Sequence, residues 1–171
     1  MLIVGYNGAG TLDIRDGATV TGGGVILGYS NGIQPASITV DGNGSALCSL
    51  IIWTLGDAGD DATLTVSNGG YVDVASGSGN DVIVGGGTGS TGHVIVTGEG
   101  SAFNVHDNVL ILGFGGDGDL TIADGGQVTG YQLYLGNWQG VETPRYRVRT
   151  LPGMVSMAFG LDSSRAVSWI F

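Results

Sequence analysis

The chain has no lysine, one cysteine, three prolines and no apolar run approaching the roughly 18 residues that a membrane-crossing helix needs. Each shortage removes a class of protein. Among residues 1–140, Arg15 is the only Lys or Arg against twelve Asp and Glu99. Such a surface repels nucleic acid, whose binding requires Lys and Arg to displace counterions. It suits a surface that resists association, or one that meets divalent cations. Cys48 has no cysteine partner, so no internal disulfide forms, which fits a reduced compartment or an exported fold that needs no staples. Scarce proline without a Gly-X-Y period excludes collagen. The first residues carry no basic stretch and no cleavage site. We therefore expect an export signal upstream of a fragment, or a start codon inside a longer gene.

What the chain has in excess is glycine, at 35 of 171 residues, beside 42% apolar residues and a net charge of -10. That apolar content argues against disorder, and glycine at this level points to many tight turns. Val109 to Val128, VLILGFGGDGDLTIADGGQV, sets out the pattern. An aliphatic triplet ends on Gly; a Gly/Asp loop, an apolar-x-apolar triplet, an Asp-Gly turn and a last apolar residue follow. Variants begin at Leu2, Val25, Trp53 and Val82, and Leu133 opens a sixth. The anchoring glycines Gly5, Gly28, Gly56, Gly85, Gly113 and Gly136 are 23, 28, 29, 28 and 23 residues apart. A period in this range marks a repeat architecture.

Within a repeat the apolar residues alternate at the two-residue period of a strand. In the first triplet Leu2/Val4, Val25/Leu27, Trp53/Leu55, Val82/Val84, Leu110/Leu112 and Leu133/Leu135 are expected inward. Ile3, Ile26, Thr54, Ile83, Ile111 and Tyr134 are expected outward. In the second triplet Leu12, Ile38, Leu64, Val94 and Leu120 should form one continuous inward column, and Asp13, Thr39, Thr65, Ile95 and Thr121 should face out. A third inward strand runs through Val20, Leu47, Val72 and Val74, Phe103 and Val105, and Val128. Asp16-Gly17, Asp41-Gly42, Asn68-Gly69 and Asp124-Gly125 supply residues that tolerate positive φ at a corner. Alternate repeats differ there: the second and fourth carry Gly-x-Gly-Ser-Ala, at Gly42 to Ala46 and Gly98 to Ala102. The predicted fold is all-β, a right-handed parallel β-helix of about five rungs, with 23–29 residues per rung and a true unit of two rungs.

The stretches GAGTLDIRDGATVTGGGVILGY (Gly8 to Tyr29), SITVDGNGSAL (Ser37 to Leu47) and GDGDLTIADGGQV (Gly116 to Val128) resemble the strand-loop-strand repeats of bacterial autotransporter passenger domains and related surface β-helix proteins. The resemblance covers residues 2–140. It implies export across the outer membrane with a C-terminal translocating barrel, and we read the chain as a stalk or adhesin at the bacterial cell surface or secreted from it. A host receptor or carbohydrate is the expected partner, and the single Arg among residues 1–140 leads us to expect no catalytic residues and no cofactor.

Competing chemistry is sparse. GSGNDVIVGGGTGS (Gly77 to Ser90) looks like one calcium-binding nonapeptide of the toxin-repeat type, with Asn80 and Asp81 as candidate ligands. Calcium there needs tandem copies to supply six or more oxygens, and the next nine residues have Ser90 and Thr91 in place of an Asp. A Gly-rich corner explains Asn80 and Asp81 as well. Asp57, Asp60 and Asp61 form the densest acidic cluster, which reads as a solvated loop rather than the paired carboxylates of a glycosidase. A carbohydrate-active β-helix of lyase or tailspike kind is the alternative from another class. His93 and His106 have no Cys or carboxylate at metal spacing. Ser101 lacks the setting of a nucleophile elbow. Tyr6, Tyr29 and Phe114 follow anchoring glycines and form either a stripe for carbohydrate or protein, or corner packing.

The grammar stops after residue 140. Residues 141–171 hold four of the five arginines, and VETPRYRVRT offers neither the strand nor the Gly-x-Gly-Ser turn that the pattern calls for. The segment reads as a cap over the open end, or as an out-of-frame tail. Codons for it can be chosen so that a shifted frame gives Gly-Asp-Ala-Thr-Val-Ser-Gly. An out-of-frame tail packs poorly and leaves Trp169, Ile170 and Phe171 without a fixed place.

Overall fold

The computed structural model describes residues 1–29, 34–51, 53–57, 59–77, 79, 81–136, 146–151, 156–160 and 166–170. After residue 136, side chains are described at 147–149 and 151. Each apolar triplet becomes a short strand because its β-branched and aliphatic side chains fit a pleated, half-buried surface. The first rung holds β1 (Leu2–Val4), β2 (Gly10–Ile14) and β3 (Thr19–Gly22). The second holds β4 (Val25–Tyr29), β5 (Pro35–Asp41) and β6 (Ala46–Ser49), and the third β7 (Trp53–Asp57), β8 (Asp61–Ser67) and β9 (Tyr71–Val74). The fourth holds β10 (Val82–Val84), β11 (Thr91–Thr97) and β12 (Ala102–Asn104), and the fifth β13 (Val109–Leu112), β14 (Asp117–Ala123) and β15 (Gln127–Gly130). Then β16 (Gln132–Leu135), β17 (Tyr146–Thr150) and β18 (Ser156–Gly160) add one strand to each sheet, and β19 (Ala166–Ile170) pairs antiparallel with β18.

Three sheets run the length of the molecule. The first is ordered β1-β4-β7-β10-β13-β16, the second β2-β5-β8-β11-β14-β17, and the third β3-β6-β9-β12-β15-β18-β19. All pairings but the last are parallel, and no helix occurs among the described residues. The chain is a β-solenoid of about five turns. Its registers match the predicted columns: Leu12, Ile38, Leu64, Val94 and Leu120 pair in succession, and Val148 follows.

Ile38, Leu64 and Leu120 are 0% exposed, as are Leu47, Val72, Phe103 and Val128 in the third sheet. Only the end members of the columns are half-buried: Leu2, Leu12 and Val20 at one end, Leu133 and Val148 at the other. A side chain in a terminal rung is covered from one side alone. Two positions depart from expectation for related reasons. Leu135, expected inward, is 47% exposed because β16 is the edge strand of its sheet. Ile111, expected outward, is 9% exposed, since Ile83 and Tyr134 flank it in register on the same face.

All six anchoring glycines have positive φ, from 74° at Gly28 to 108° at Gly136. At Gly85 a Cβ would also lie 2.2 Å from the Asp117 carbonyl oxygen. The glycine is required twice, by conformation and by the close approach of the next rung.

The two-rung unit has a hydrogen-bonded cause. In odd rungs both corner residues take positive φ, as in Asp16-Gly17, Asn68-Gly69 and Asp124-Gly125, whereas at Asp41-Gly42 only the Gly does, because Asp41 still belongs to β5. The Gly N–H of that turn must find an acceptor, and the even rung supplies one. The buried hydroxyl oxygen of Ser45 accepts from Gly17 N at 3.1 Å, and that of Ser101 from Gly69 N at 3.0 Å. Asp-Gly corners and Gly-x-Gly-Ser corners therefore alternate as donor and acceptor. The core also admits one large polar-tipped residue. Trp53 is 0% exposed against Phe103, and its indole N–H donates to Ser49 Oγ, which satisfies the only polar atom on the ring.

Candidate functional site

The outer face of the second sheet changes character along the rod. One outward column reads Thr11, Ser37, Thr63, His93, Asp119 and Arg147, set side by side by the strand register. Its beginning is hydroxyl-bearing, with Ser37 Oγ donating to Thr11 Oγ1 at 3.3 Å. Its end is charged, with His93 Nδ1 lying 3.3 Å from Asp119 Oδ2. The neighbouring outward column ends in Ile95, Thr121 and Arg149. Between the two columns is a groove of about 340 Å³ lined by Thr63, His93, Ile95, Asp119, Thr121, Arg147 and Arg149. Both arginines project from β17, two residues apart and hence on one face.

A second polar network covers the outer face of the third sheet. Tyr71 OH donates to Asp73 Oδ1 at 2.6 Å, and His106 Nε2 lies 2.9 Å from the same oxygen. Asn104 Oδ1 accepts from His106 N at 3.0 Å and from Thr129 Oγ1 at 2.8 Å. This fixes the amide so that Nδ2 points at Tyr71 OH, 3.4 Å away. The first of these contacts is an Asx turn, which suits the positive φ of 51° at His106. Cys48 stands beside Asp73 in register. Burial, then the Asp73 charge, pushes the Cys48 thiol up, and burial with the Asp73 hydrogen bond does the same to the Tyr71 hydroxyl. Both groups stay protonated at neutral pH. The hydrogen bonds of this network tie rungs 3 to 5 together on the outer face.

The residues singled out in the sequence fall into separate places. Asp81 Oδ1 accepts from Val109 N at 3.2 Å and its carbonyl accepts from Trp53 N, so this residue ties three rungs together. Asn80 lies outside the described residues. No group of three or more His, Cys, Asp or Glu with metal-binding geometry occurs among the described residues.

Asp60 corrects the solvated-loop reading. It is 1% exposed and accepts from Gln34 N at 3.2 Å, because the loop folds down against Gly28, whose absent side chain leaves the room. His93 and His106 each face a carboxylate that sequence spacing did not reveal, since the partners are 26 and 33 residues away and meet only through stacking. Ser101 is a buried corner acceptor. Tyr6 and Tyr29 stack with ring centroids 5.6 Å apart, whereas Asp57 takes the next position in register, so the aromatic stripe ends at two rings before Phe114.

Beyond residue 140 the backbone continues the sheets. β17 spans Tyr146–Thr150, where the sequence pattern showed no strand, with Val148 in the Leu120 column. The side chains of Trp169 and Ile170, and Phe171 altogether, lie outside the described residues.

No protein-family model, curated protein or solved structure matches this chain. No helix among the described residues is long and apolar enough to cross a membrane.

Proposed function

We propose that the chain is a rod segment of an exported bacterial surface protein of the autotransporter-passenger kind, acting as a stalk or adhesive surface without catalysis of its own. The observation that carries this reading is the unbroken register of three parallel sheets around one aliphatic core, with each rung contacting its neighbours in the same way. Such a fold assembles rung by rung, because every rung completes its contacts on the one before it. A chain that crosses a membrane unfolded and emerges from a narrow pore can fold in this order. The lone Cys48 adds no disulfide that would have to form first. Each rung advances the rod by about 4.8 Å, so the geometry provides reach and a long lateral surface. In the full protein an outer-membrane barrel follows, and the partner is a receptor or carbohydrate on another cell. The test is antibody labelling and protease shaving of intact cells that carry the whole gene. Accessibility on intact cells is expected; labelling only after lysis overturns the proposal.

One observation favours a second reading, a carbohydrate-active β-helix: the groove sets Asp119 beside Arg147 and Arg149. Glycoside hydrolysis requires two flanking carboxylates, and among the described residues Asp119 is the only one lining the groove. Incubation with acidic and neutral polysaccharides should yield no new reducing ends or unsaturated products; their appearance selects the enzyme.

A further inference from the structure

We infer that the groove on the outer face of the second sheet binds a carboxylate-bearing sugar of an acidic glycan. This deepens the adhesive-surface reading by naming a ligand class, and rests on that reading for where the protein meets it. Loss of binding would leave the surface labelling unchanged, and a failure of labelling would leave the groove's affinity unchanged.

The argument starts from charge. The protein carries five Arg or Lys against fifteen Asp and Glu, yet two of those five, Arg147 and Arg149, line one groove. They are exposed, and among the described residues neither has a carboxylate within ion-pair distance. On an acidic rod this is the place where an anion is attracted, and a planar guanidinium fits a carboxylate through two parallel hydrogen bonds. Asp119 then selects among anions. It sits beside Arg147 in register and against His93, so a bare polyanion in the groove meets a like charge. A ligand that brings hydroxyl donors to Asp119 and to Thr63 and Thr121, and its carboxylate to the arginines, satisfies both signs. Ile95 offers an apolar wall for the C–H face of a sugar ring. A volume of about 340 Å³ is of the size of one or two sugar units. The groove lies along the stacking direction, so a polymer can run past it without entering a closed pocket.

The experiment is calorimetric titration of the full chain with a galacturonic acid trimer, a neutral galactose trimer and sodium sulfate. The acidic trimer is expected to bind, and the neutral trimer and sulfate are not. Arg149→Gln should weaken the acidic trimer by about tenfold, the loss of one charged hydrogen-bonding partner. Arg15→Gln, at the other end of the sheet, should leave it unchanged. Circular dichroism and the unfolding midpoint confirm that both variants keep the fold. Absence of binding overturns the inference, as does equal binding of sulfate or indifference to Arg149→Gln.

Discussion

Two columns on the second sheet run side by side, one turned inward and one outward. The inward column, Leu12 to Val148, is aliphatic at every rung. The outward one passes from Thr11 and Ser37 through Thr63 to His93, Asp119 and Arg147 across the same strands. A stacked interior forces sameness, because each side chain must fill the space left by the rungs on either side. The exterior needs only a residue that tolerates a strand. Variation along the rod is therefore concentrated on the outer faces, and in the second sheet it gathers toward the C-terminal rungs.

The sharpest break of this contrast is Leu64→Asp against Thr65→Asp, adjacent residues on opposite faces. Leu64→Asp puts an unpaired charge in the aliphatic column and should cost on the order of 5 kcal/mol. Thr65→Asp should stay within about 0.5 kcal/mol. Denaturant unfolding of both reads the difference, and equal losses would reverse the face assignment. Should Leu64→Asp fail to fold, Leu64→Ala measures the same site with a loss of roughly 2–5 kcal/mol.

Gly85→Ala tests the corners rather than the faces. The residue has φ of 75° and no room for a Cβ beside the Asp117 carbonyl. A loss of about 2 kcal/mol or more is expected, since the left-handed conformation alone costs about 1–2 kcal/mol. Gly79→Ala has a similar φ but nothing within 4 Å of the added carbon, and should cost less.

Ser101→Ala removes the buried acceptor that the two-rung alternation depends on. Its effect should be about 1–2 kcal/mol, as expected for one orphaned N–H at Gly69. Ser37→Ala, in the exposed outward column, should be near neutral. Matching unfolding midpoints for the two serine variants would mean that the alternation has another origin.

The smallest effect concerns acid. Hydrogen bonds from Ser67 Oγ at 2.6 Å and then Asn68 Nδ2 at 2.7 Å hold the Asp41 carboxyl below the usual carboxylate range. A depressed folded-state value adds stability above the ordinary aspartate range, and the gain is lost as pH falls through that lowered value. The midpoint difference between the protein and Asp41→Asn should be slight at neutral pH and vanish in strong acid. A difference that grows with acid would contradict this.

Much of this was legible in the residues. Six glycines at 23–29-residue intervals and apolar-x-apolar triplets between them set period, register and most strand faces, Leu135 and Ile111 excepted, because one interior must be filled alike at every rung. The alternation of Asp-Gly with Gly-x-Gly-Ser was visible as a pattern, but its hydrogen bonds were not. What only the tertiary structure decided is which outward residues meet. His93 and Asp119, or His106 and Asp73, are 26 and 33 residues apart, and sequence gives no local sign of either pair. Asp60 went inside because a loop found room over Gly28. The physical reason is one of range: hydrophobic period and turn chemistry act within a rung, whereas a groove such as that of His93, Asp119, Arg147 and Arg149 exists only once rungs are stacked at strand spacing.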